Sequence, residues 1–550
     1  MIAEAVASVA FVNPSVGFSD RRKSKPIGLA YIMAYLRSCG HDAIGYDFGD
    51  SEDDPVELAR SYGLDRYAVV GFSVYNESFL PAIAMANWIK EHRPDATIVL
   101  GGPHATAVHE HIMRTYPCVD VIVRREGEES MLAILEALRG STGFCDIVGT
   151  TARGAGGEII VNPDRPAVAQ LDDLPFPDAD FISHSGYPAV TYYDEVQQRM
   201  KPALTVCSSR SCPFDCSFCG VLTIGRKYRS REAQRVAEEV RYFRERHGIN
   251  YEHVYFSDAN FFVSASRALG VARALHELDE NITFSFGTRV NQILRAKEIL
   301  PQLKECGLRF IELGIESASP DVLERLAKRV SPEVNVAAVK LLKELRIDIS
   351  LDFIMLDPAS TLHDVQANVD FLRALDFYDY TPHDHLYSAL VLYEGTPIRQ
   401  FYERRFGMTF NPDELPPTYG LFERLEVQRF SDEVGTFRRE WQARIDEVLA
   451  RAELTCLSAT TGSPIPRRQL AELQLDTVAL RHAPNLFFEN LLADARRDFV
   501  VLDGEGRDGL LPQLGYDRVR LPALLDRVEQ VTARYGVRFE AEPVAVGRFH

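Results

Sequence analysis

Short apolar runs of strand length alternate with helical patterns twice along this chain, and that alternation restricts its architecture more than any other property. In residues 1–140 the runs are Val6–Val12, Ala43–Tyr46, Ala68–Val74, Thr97–Leu100 and Val119–Val123. Helical patterns sit between them, such as Ile27–Ser38, stopped by Gly40, and Phe79–His92. Strand–helix alternation of this kind predicts an open, doubly wound parallel sheet. Such sheets bind ligands beyond the carboxyl ends of their strands.

The rhythm lapses over residues 141–200, where Gly154–Gly157 is turn-rich and Leu171-Asp172-Asp173-Leu174-Pro175-Phe176-Pro177 reads as a linker. A second series follows over 201–420, with strand candidates at 203–209, 253–259, 282–288, 310–316, 347–355 and 386–393. Six strand–helix units suit a partial α/β barrel, although a second open sheet has the same pattern. Residues 421–550 read as a mainly helical domain. Val434, Phe437, Trp441, Ile445 and Val448 share one helix face there, with Ser431 as the expected N-cap.

Between the first two strands of the second series lies Cys212-Pro213-Phe214-Asp215-Cys216-Ser217-Phe218-Cys219. Nine cysteines in 550 residues give this spacing by chance roughly 0.002 times per chain. Three thiolates on one loop can hold three irons of a 4Fe-4S cluster, leaving the fourth open to a bidentate ligand. The competing reading is a structural zinc loop, which normally needs four ligands, and no fourth Cys or His stands at the right spacing. The other six cysteines are scattered and form no disulfide framework, consistent with a reducing compartment. The apolar N-terminus carries Glu4 and no basic leader, so it reads as a strand rather than a signal peptide. No apolar stretch approaches the ~18 residues of a membrane span, and a cytoplasmic protein is expected. The net charge of −18 argues against nucleic-acid binding through an overall basic surface. One local exception is Arg226-Lys227-Tyr228-Arg229-Ser230-Arg231, either a functional basic patch or a solvated start to the next helix.

Cys-x3-Cys-x-Phe-Cys resembles the signature of the radical S-adenosylmethionine (SAM) enzymes. The resemblance implies a cluster at Cys212, Cys216 and Cys219 that passes one electron to bound SAM, cleaving it to a 5'-deoxyadenosyl radical. It also implies an external electron donor of flavodoxin or ferredoxin type. Phe218 matches the aromatic that leans toward adenine. Asp258 and Asn260 stand at the second strand end, where many members carry Gly-Gly-Glu, which is missing here. Arg289 follows the third strand as a candidate for the SAM carboxylate. Glu312 and Gly314-Ile315-Glu316-Ser317 resemble the family's fourth-strand segment, and Glu316 and Ser317 are expected at SAM.

The first domain resembles the cobalamin-binding domain that precedes some radical SAM cores. Ser73 and Tyr75 lie at one strand end and Gly101-Gly102-Pro103 at the next. Gly28 in Pro26-Ile27-Gly28-Leu29, and Glu126 and Gly127 in Arg125-Glu126-Gly127-Glu128, are further matches. By the resemblance the serine approaches the tail base of cobalamin, and the glycines leave room for its nucleotide loop. No Asp-x-His-x-x-Gly follows the first strand, so no histidine is offered to the cobalt; radical SAM proteins with this domain often lack it. A degenerate domain kept as scaffold is the alternative. His104 and His109 read as helix-start residues rather than cobalt ligands. His383-Asp384-His385 reads as substrate contact or plain loop rather than a metal site. Tyr378, Tyr380 and Tyr387 are either pocket-lining or packing.

The resemblance implies a cobalamin-dependent radical SAM methyltransferase acting on an unreactive carbon (or phosphorus) centre of a small natural-product precursor. The alternative within the same chemistry is a cyclisation or rearrangement without methyl transfer. A cluster protein for electron transfer or iron sensing would not need the ordered SAM-site motifs. A methylthiotransferase would need additional N-terminal cluster cysteines.

Overall fold

The computed structural model describes residues 9–15, 26–49, 51–140, 143–184, 191–194, 199–378, 383–414, 421–460, 465–498 and 520–535. Its first sheet contains β1 (Val9–Asn13), β2 (Ala43–Asp47), β3 (Val69–Ser73), β4 (Thr97–Gly101) and β5 (Val121–Val123), parallel in the order 2-1-3-4-5. Alternate residues serve opposite faces. Val9, Phe11, Val69, Val99 and Val121 pack with the helices Ile27–Ser38 and Glu128–Arg139. Ala10, Val12, Val70, Phe72, Ile98 and Leu100 pack on the other side, with the helix Asn76–His92. Burial on both faces is why these strands read as unbroken apolar runs. The strand order reverses at β1 and β3, which marks the crevice beyond their C-terminal ends as the ligand position.

Residues expected to be linker extend this sheet instead. β6 (Thr150–Arg153) and β7 (Ile159–Val161) form a hairpin across Gly154–Gly157, antiparallel to β5. They are short, as suits an edge; β6 carries Thr150 and Thr151 and β7 is only Ile159-Ile160-Val161, so neither gives an apolar run of ordinary strand length.

The second sheet has the order β15-β14-β13-β12-β9-β8. It contains β8 (Thr191–Asp194), β9 (Arg199–Val206), β12 (His253–Phe256), β13 (Thr283–Arg289), β14 (Leu308–Glu316) and β15 (Asp348–Phe353). From β9 to β15 every pairing is parallel and each strand adds at the same edge. Right-handed crossovers that always step one way put their helices on one face, the arrangement of a partial barrel. The sixth expected strand, 386–393, is absent. His383–Leu386 is a helical turn, and only Ala389 bridges, to Leu356. The apolar residues there serve docking: Tyr387 is fully buried and its hydroxyl donates to the Pro484 carbonyl at 3.1 Å. Tyr378 likewise donates to the Asn485 carbonyl at 2.8 Å. Both tyrosines therefore pack against the C-terminal helix Arg467–Asp498; Tyr380 and the side chains of His383 and Asp384 lie outside the described residues.

A small hairpin, β10 (Ser209–Arg210) with β11 (Arg229–Ser230), closes the base of the loop that carries the cysteines. The C-terminal region is helical, through Leu425–Phe437, Ala443–Thr460, Arg467–Asp498 and Arg520–Tyr535. Val434, Ile445 and Val448 are fully buried on its expected inner face. Ser431 is no N-cap: it lies inside the helix that begins at Leu425, because the helix starts earlier than its apolar stripe suggests. Among the described residues no helix is long and apolar enough to cross a membrane.

Candidate active site

The cysteine loop is fixed from outside. Ser211 adopts left-handed φ of 66° to start it. Ser217 donates through its amide to the Leu326 carbonyl (3.0 Å) and through its hydroxyl to the Arg325 carbonyl (2.8 Å). Burial pushes the Cys219 thiol up to about 11, opposed by the Val221 amide, with Cys216 and Cys212 raising it further. Burial and the Cys216 charge also raise Cys212, while the Phe214 amide, Asn260 and Arg289 lower it. The three sulfurs thus share one electrostatic neighbourhood. Among the described residues no three His, Cys, Asp or Glu side chains converge on a single ion.

Arg289, at the end of β13, is buried against this loop. It donates through Nη1 to the Cys216 sulfur, through Nη2 to the Lys328 carbonyl, and lies 4.3 Å over the Phe214 ring. Its buried Nε has no partner, so a donor stays available beside the cysteines for an anionic ligand group. Asn260 accepts from Thr288 at 2.9 Å and its side chain stands beside Cys212. Phe218 is half-buried and packs against Val322, Leu390, Ile398 and their neighbours.

Two expected SAM contacts turn elsewhere. Both oxygens of Asp258 are engaged, accepting from the Ser208 amide (2.7 Å), the Ser208 hydroxyl (2.7 Å) and the Ser209 hydroxyl (2.5 Å). Asp258 therefore positions the strand end that leads to the cysteines. Ser317 is fully buried and donates to Asn368 at 2.9 Å, holding the helix Leu362–Ala374. Glu316, between them, faces the site: it takes left-handed φ of 63° where β14 slips register with β15, and pairs with Lys328 at 2.6 Å. A Cβ on Gly314 would lie 2.8 Å from Glu316 Oε1 and from Lys328 Nζ, so glycine makes the room for this pair.

Three further residues complete the barrel mouth. Asp352, beside Gly314 in register, is exposed, yet its carboxyl is pushed up to about 7 by desolvation, then by Glu316 and Glu312, against Lys328. Tyr255 donates to Glu312 at 3.1 Å, and burial raises the Glu312 carboxyl. The readable signal for Asp352 was polarity at alternate positions, Ser350 and Asp352 between Ile349, Leu351 and Phe353.

In the first domain, Ser73 ends β3 in register with Gly101 of β4. Tyr75 follows beyond the strand end, 53% exposed, and desolvation raises its hydroxyl. A Cβ on Gly101 would make only ordinary contact, 3.6 Å from the Val123 carbonyl, whereas one on Gly102 (φ 96°) would lie 2.7 Å from the Val74 carbonyl. Gly102 is thus required by the chain's own backbone crossing, and Gly101 leaves the strand edge open. Pro103 begins the short helix Pro103–Ala107. Gly28 sits in the first turn of its helix with nothing within 4 Å of a Cβ. His104 is buried against Phe79, its ring pushed down to about 4 by burial, and stays neutral.

Glu126 and Gly127 do different work from that expected. Gly127 packs on Ile32, which a Cβ would meet at 2.7 Å. Glu126 crosses to the second domain and pairs with Arg229 at 2.7 Å. Glu128 pairs with Arg210 at 2.7 Å, and Arg231 donates to Tyr31 at 3.0 Å and to Glu239. The C-terminal ends of β5 and β9 are tied together at this seam.

Residues 206–372 match the Radical SAM superfamily, and residues 18–135 match the B12 binding domain. The chain is a B12-binding radical SAM protein. An uncharacterised methyltransferase of Pyrococcus horikoshii is 29% identical over 68% of this chain and 78% of its own length. The anaerobic magnesium-protoporphyrin IX monomethyl ester cyclase of Rubrivivax gelatinosus is 28% identical over 63% of this chain and 62% of its own. Methyltransferases recur among the more distant relatives. The solved structure of the cobalamin-dependent SAM radical enzyme OxsB with aqua-cobalamin bound superposes with a TM-score of 0.72 over 96% of this chain and 80% of that one, at 16% identity.

A B12-binding radical SAM protein takes a 4Fe-4S cluster, SAM and cobalamin, and the donor sets fit. Cys212, Cys216 and Cys219 supply three thiols on one pinned loop, with the unpartnered Arg289 Nε beside them. The Ser73–Gly101 pair, followed by Tyr75, lies at the carboxyl ends of β3 and β4, next to the strand-order reversal between β1 and β3 where such sheets take ligands.

Proposed function

We propose that this protein is a cobalamin-dependent radical SAM methyltransferase that acts on an unreactive carbon, or phosphorus, centre of a small natural-product precursor. The observation that carries this reading is the seam: Glu126 and Glu128, beyond β5, hold Arg229 and Arg210, at the base of the cysteine loop. It ties together the carboxyl ends of strands from two α/β domains, the edges at which such sheets take ligands. When bound, the cluster and SAM supply a substrate-activating radical, and cobalamin supplies methyl-carrying capacity.

The residues then divide the work. Cys212, Cys216 and Cys219 hold the cluster. Arg289 orients the SAM carboxylate, Phe218 and Asn260 line the SAM site, and Glu316 with Lys328 fixes its polar wall. Asp258 acts one step back, through Ser208 and Ser209. Ser73, Tyr75, Gly101, Gly102 and Pro103 form the cobalamin crevice, with Gly28 at the neighbouring helix start. A flavodoxin- or ferredoxin-type protein supplies the electron from outside.

The test is reconstitution of the full chain without oxygen, with iron, sulfide and hydroxocobalamin, followed by desalting and incubation with methyl-deuterated SAM and candidate acceptors. Expected are cobalamin and cluster retained in similar amounts, and an acceptor whose mass rises by one labelled methyl group. A chain that keeps its cluster but no cobalamin sinks the methyltransferase reading. The second reading, cyclisation or rearrangement, is favoured by the cyclase relative; its product gains no carbon from SAM.

A further inference from the structure

The basic stretch 226–231 divides in two. Arg229 and Arg231 are buried anchors, engaged by Glu126 and Glu239. Arg226 and Lys227 are exposed, and neither side chain makes an ion pair among the described residues. They stand at a cavity of about 260 Å³ lined also by Arg125, Arg165, Ser211 and Arg229. Arg125 is balanced by Asp164 (2.8 Å), Arg165 by Glu129 (3.1 Å) and Arg229 by Glu126 (2.7 Å). Arg226 and Lys227 are left over, so the mouth is locally positive on a chain of net charge −18.

The position of this cavity is specific. Ser211, in its lining, is the chain neighbour of Cys212, and Ile224 and Gly225, also in its lining, end the short helix that follows Cys219. The cavity thus touches both ends of the segment that carries the cysteines. Its volume falls below the ~300–1,000 Å³ of sites that enclose a drug-sized ligand, so it suits one or two anionic side chains of a larger body. A positive mouth on a negative protein steers an acidic partner to one place.

We propose that this cavity is the docking point of an acidic electron-transfer protein, whose carboxylates meet Arg226 and Lys227 and whose electron enters at the Ser211–Cys212 end of the loop. The inference rests on the reading that the cysteine triad holds a reducible cluster. One electron leaves the reduced partner and enters the cluster; the partner is oxidised by one electron, and no bond forms or breaks.

The experiment uses the reconstituted full chain and a reduced flavodoxin as probe. Wild type is compared with R226E/K227E and with the charge-neutral R226Q/K227Q. Stopped-flow bleaching of the cluster should slow about tenfold or more in the charge-reversed protein at low salt and less in the neutral one, and the wild-type rate should fall steeply with ionic strength. Reduction by dithionite should be the same in all three. Calorimetric titration of oxidised flavodoxin into the cluster-free chain reads docking alone, so it stays informative if the cluster assignment fails. Equal flavodoxin rates and affinities in wild type and both variants would overturn the proposal. So would inorganic phosphate binding that depends on Arg226 and Lys227 while flavodoxin reduction does not, since the cavity would then be a small-anion subsite.

Discussion

Arg229 grips Glu126 with both terminal nitrogens, at 2.9 and 2.7 Å, and so clamps the base of the cysteine loop to the first domain. Two parallel charge-assisted bonds fix direction as well as distance. Burial raises the Glu126 carboxyl, but Arg229 and Arg210 more than offset it, leaving it below its ordinary value. A lowered carboxylate contributes stability that is present above its unfolded pKa and lost as pH falls through the folded one.

Removing one partner of this buried pair strands the other charge. Glu126→Ala should cost about 3 kcal/mol, read as a lower denaturant midpoint. A midpoint that does not move would show that the seam is not held by this pair. The wild-type minus variant difference should shrink as the buffer is taken below pH 4 or so, since the pair's contribution disappears with the carboxylate charge.

Cys216→Ala should bring iron content close to background and abolish SAM cleavage, while far-ultraviolet circular dichroism stays unchanged. Cys306→Ala, remote from the loop, is the control and should retain the cluster. A Cys216 variant that still cleaves SAM would remove the cluster assignment.

Gly102→Ala forces a Cβ to 2.7 Å from the Val74 carbonyl at φ of 96°. The cost should be about 1–3 kcal/mol, with cobalamin retention falling as the β3 and β4 ends separate. Gly101→Ala meets no such clash, so its stability should stay near wild type, and any loss of cobalamin would report on the crevice itself.

Asp352, raised to about 7, has the opposite linkage from Glu126. Its folded state prefers the proton, so its relative contribution is full below the unfolded pKa and is lost as pH rises through about 7. Asp352→Asn should flatten that decline, and the variant should gain thermal stability over wild type at pH 8 but not at pH 4. Parallel pH curves for the two proteins would contradict this.

The sequence made the central strands legible because β1, β3 and β4 bury both faces, and Val9 and Ala10 can both be apolar for that reason. It made the cysteines legible because their chemistry is local: three thiols within one loop need no distant partner to be recognised. Asp258 and Glu126 stand at the expected strand ends, and their carboxylates are engaged by the Ser208–Ser209 pair and by Arg229. Position along a strand is written in the chain, but the serine pair and the arginine that claim these carboxylates are about 50 and 103 residues away. The run 386–393 is apolar for a related reason: Tyr387 answers to Pro484, a contact no local period reveals. Asp352 shows in the chain only as one polar position in an alternating strand; its role depends on Glu312, Glu316 and Lys328, which the fold brings beside it.

The seam has a consequence for anyone treating the two halves as exchangeable modules. A graft that carried residues 199–378 onto another N-terminal domain would take Arg210 and Arg229 along and leave Glu128 and Glu126 behind. Two guanidinium groups would then be buried without counter-charge at the root of the cysteine loop. Any transplant of this core therefore has to bring an acidic pair with the same spacing beyond the fifth strand of its new host.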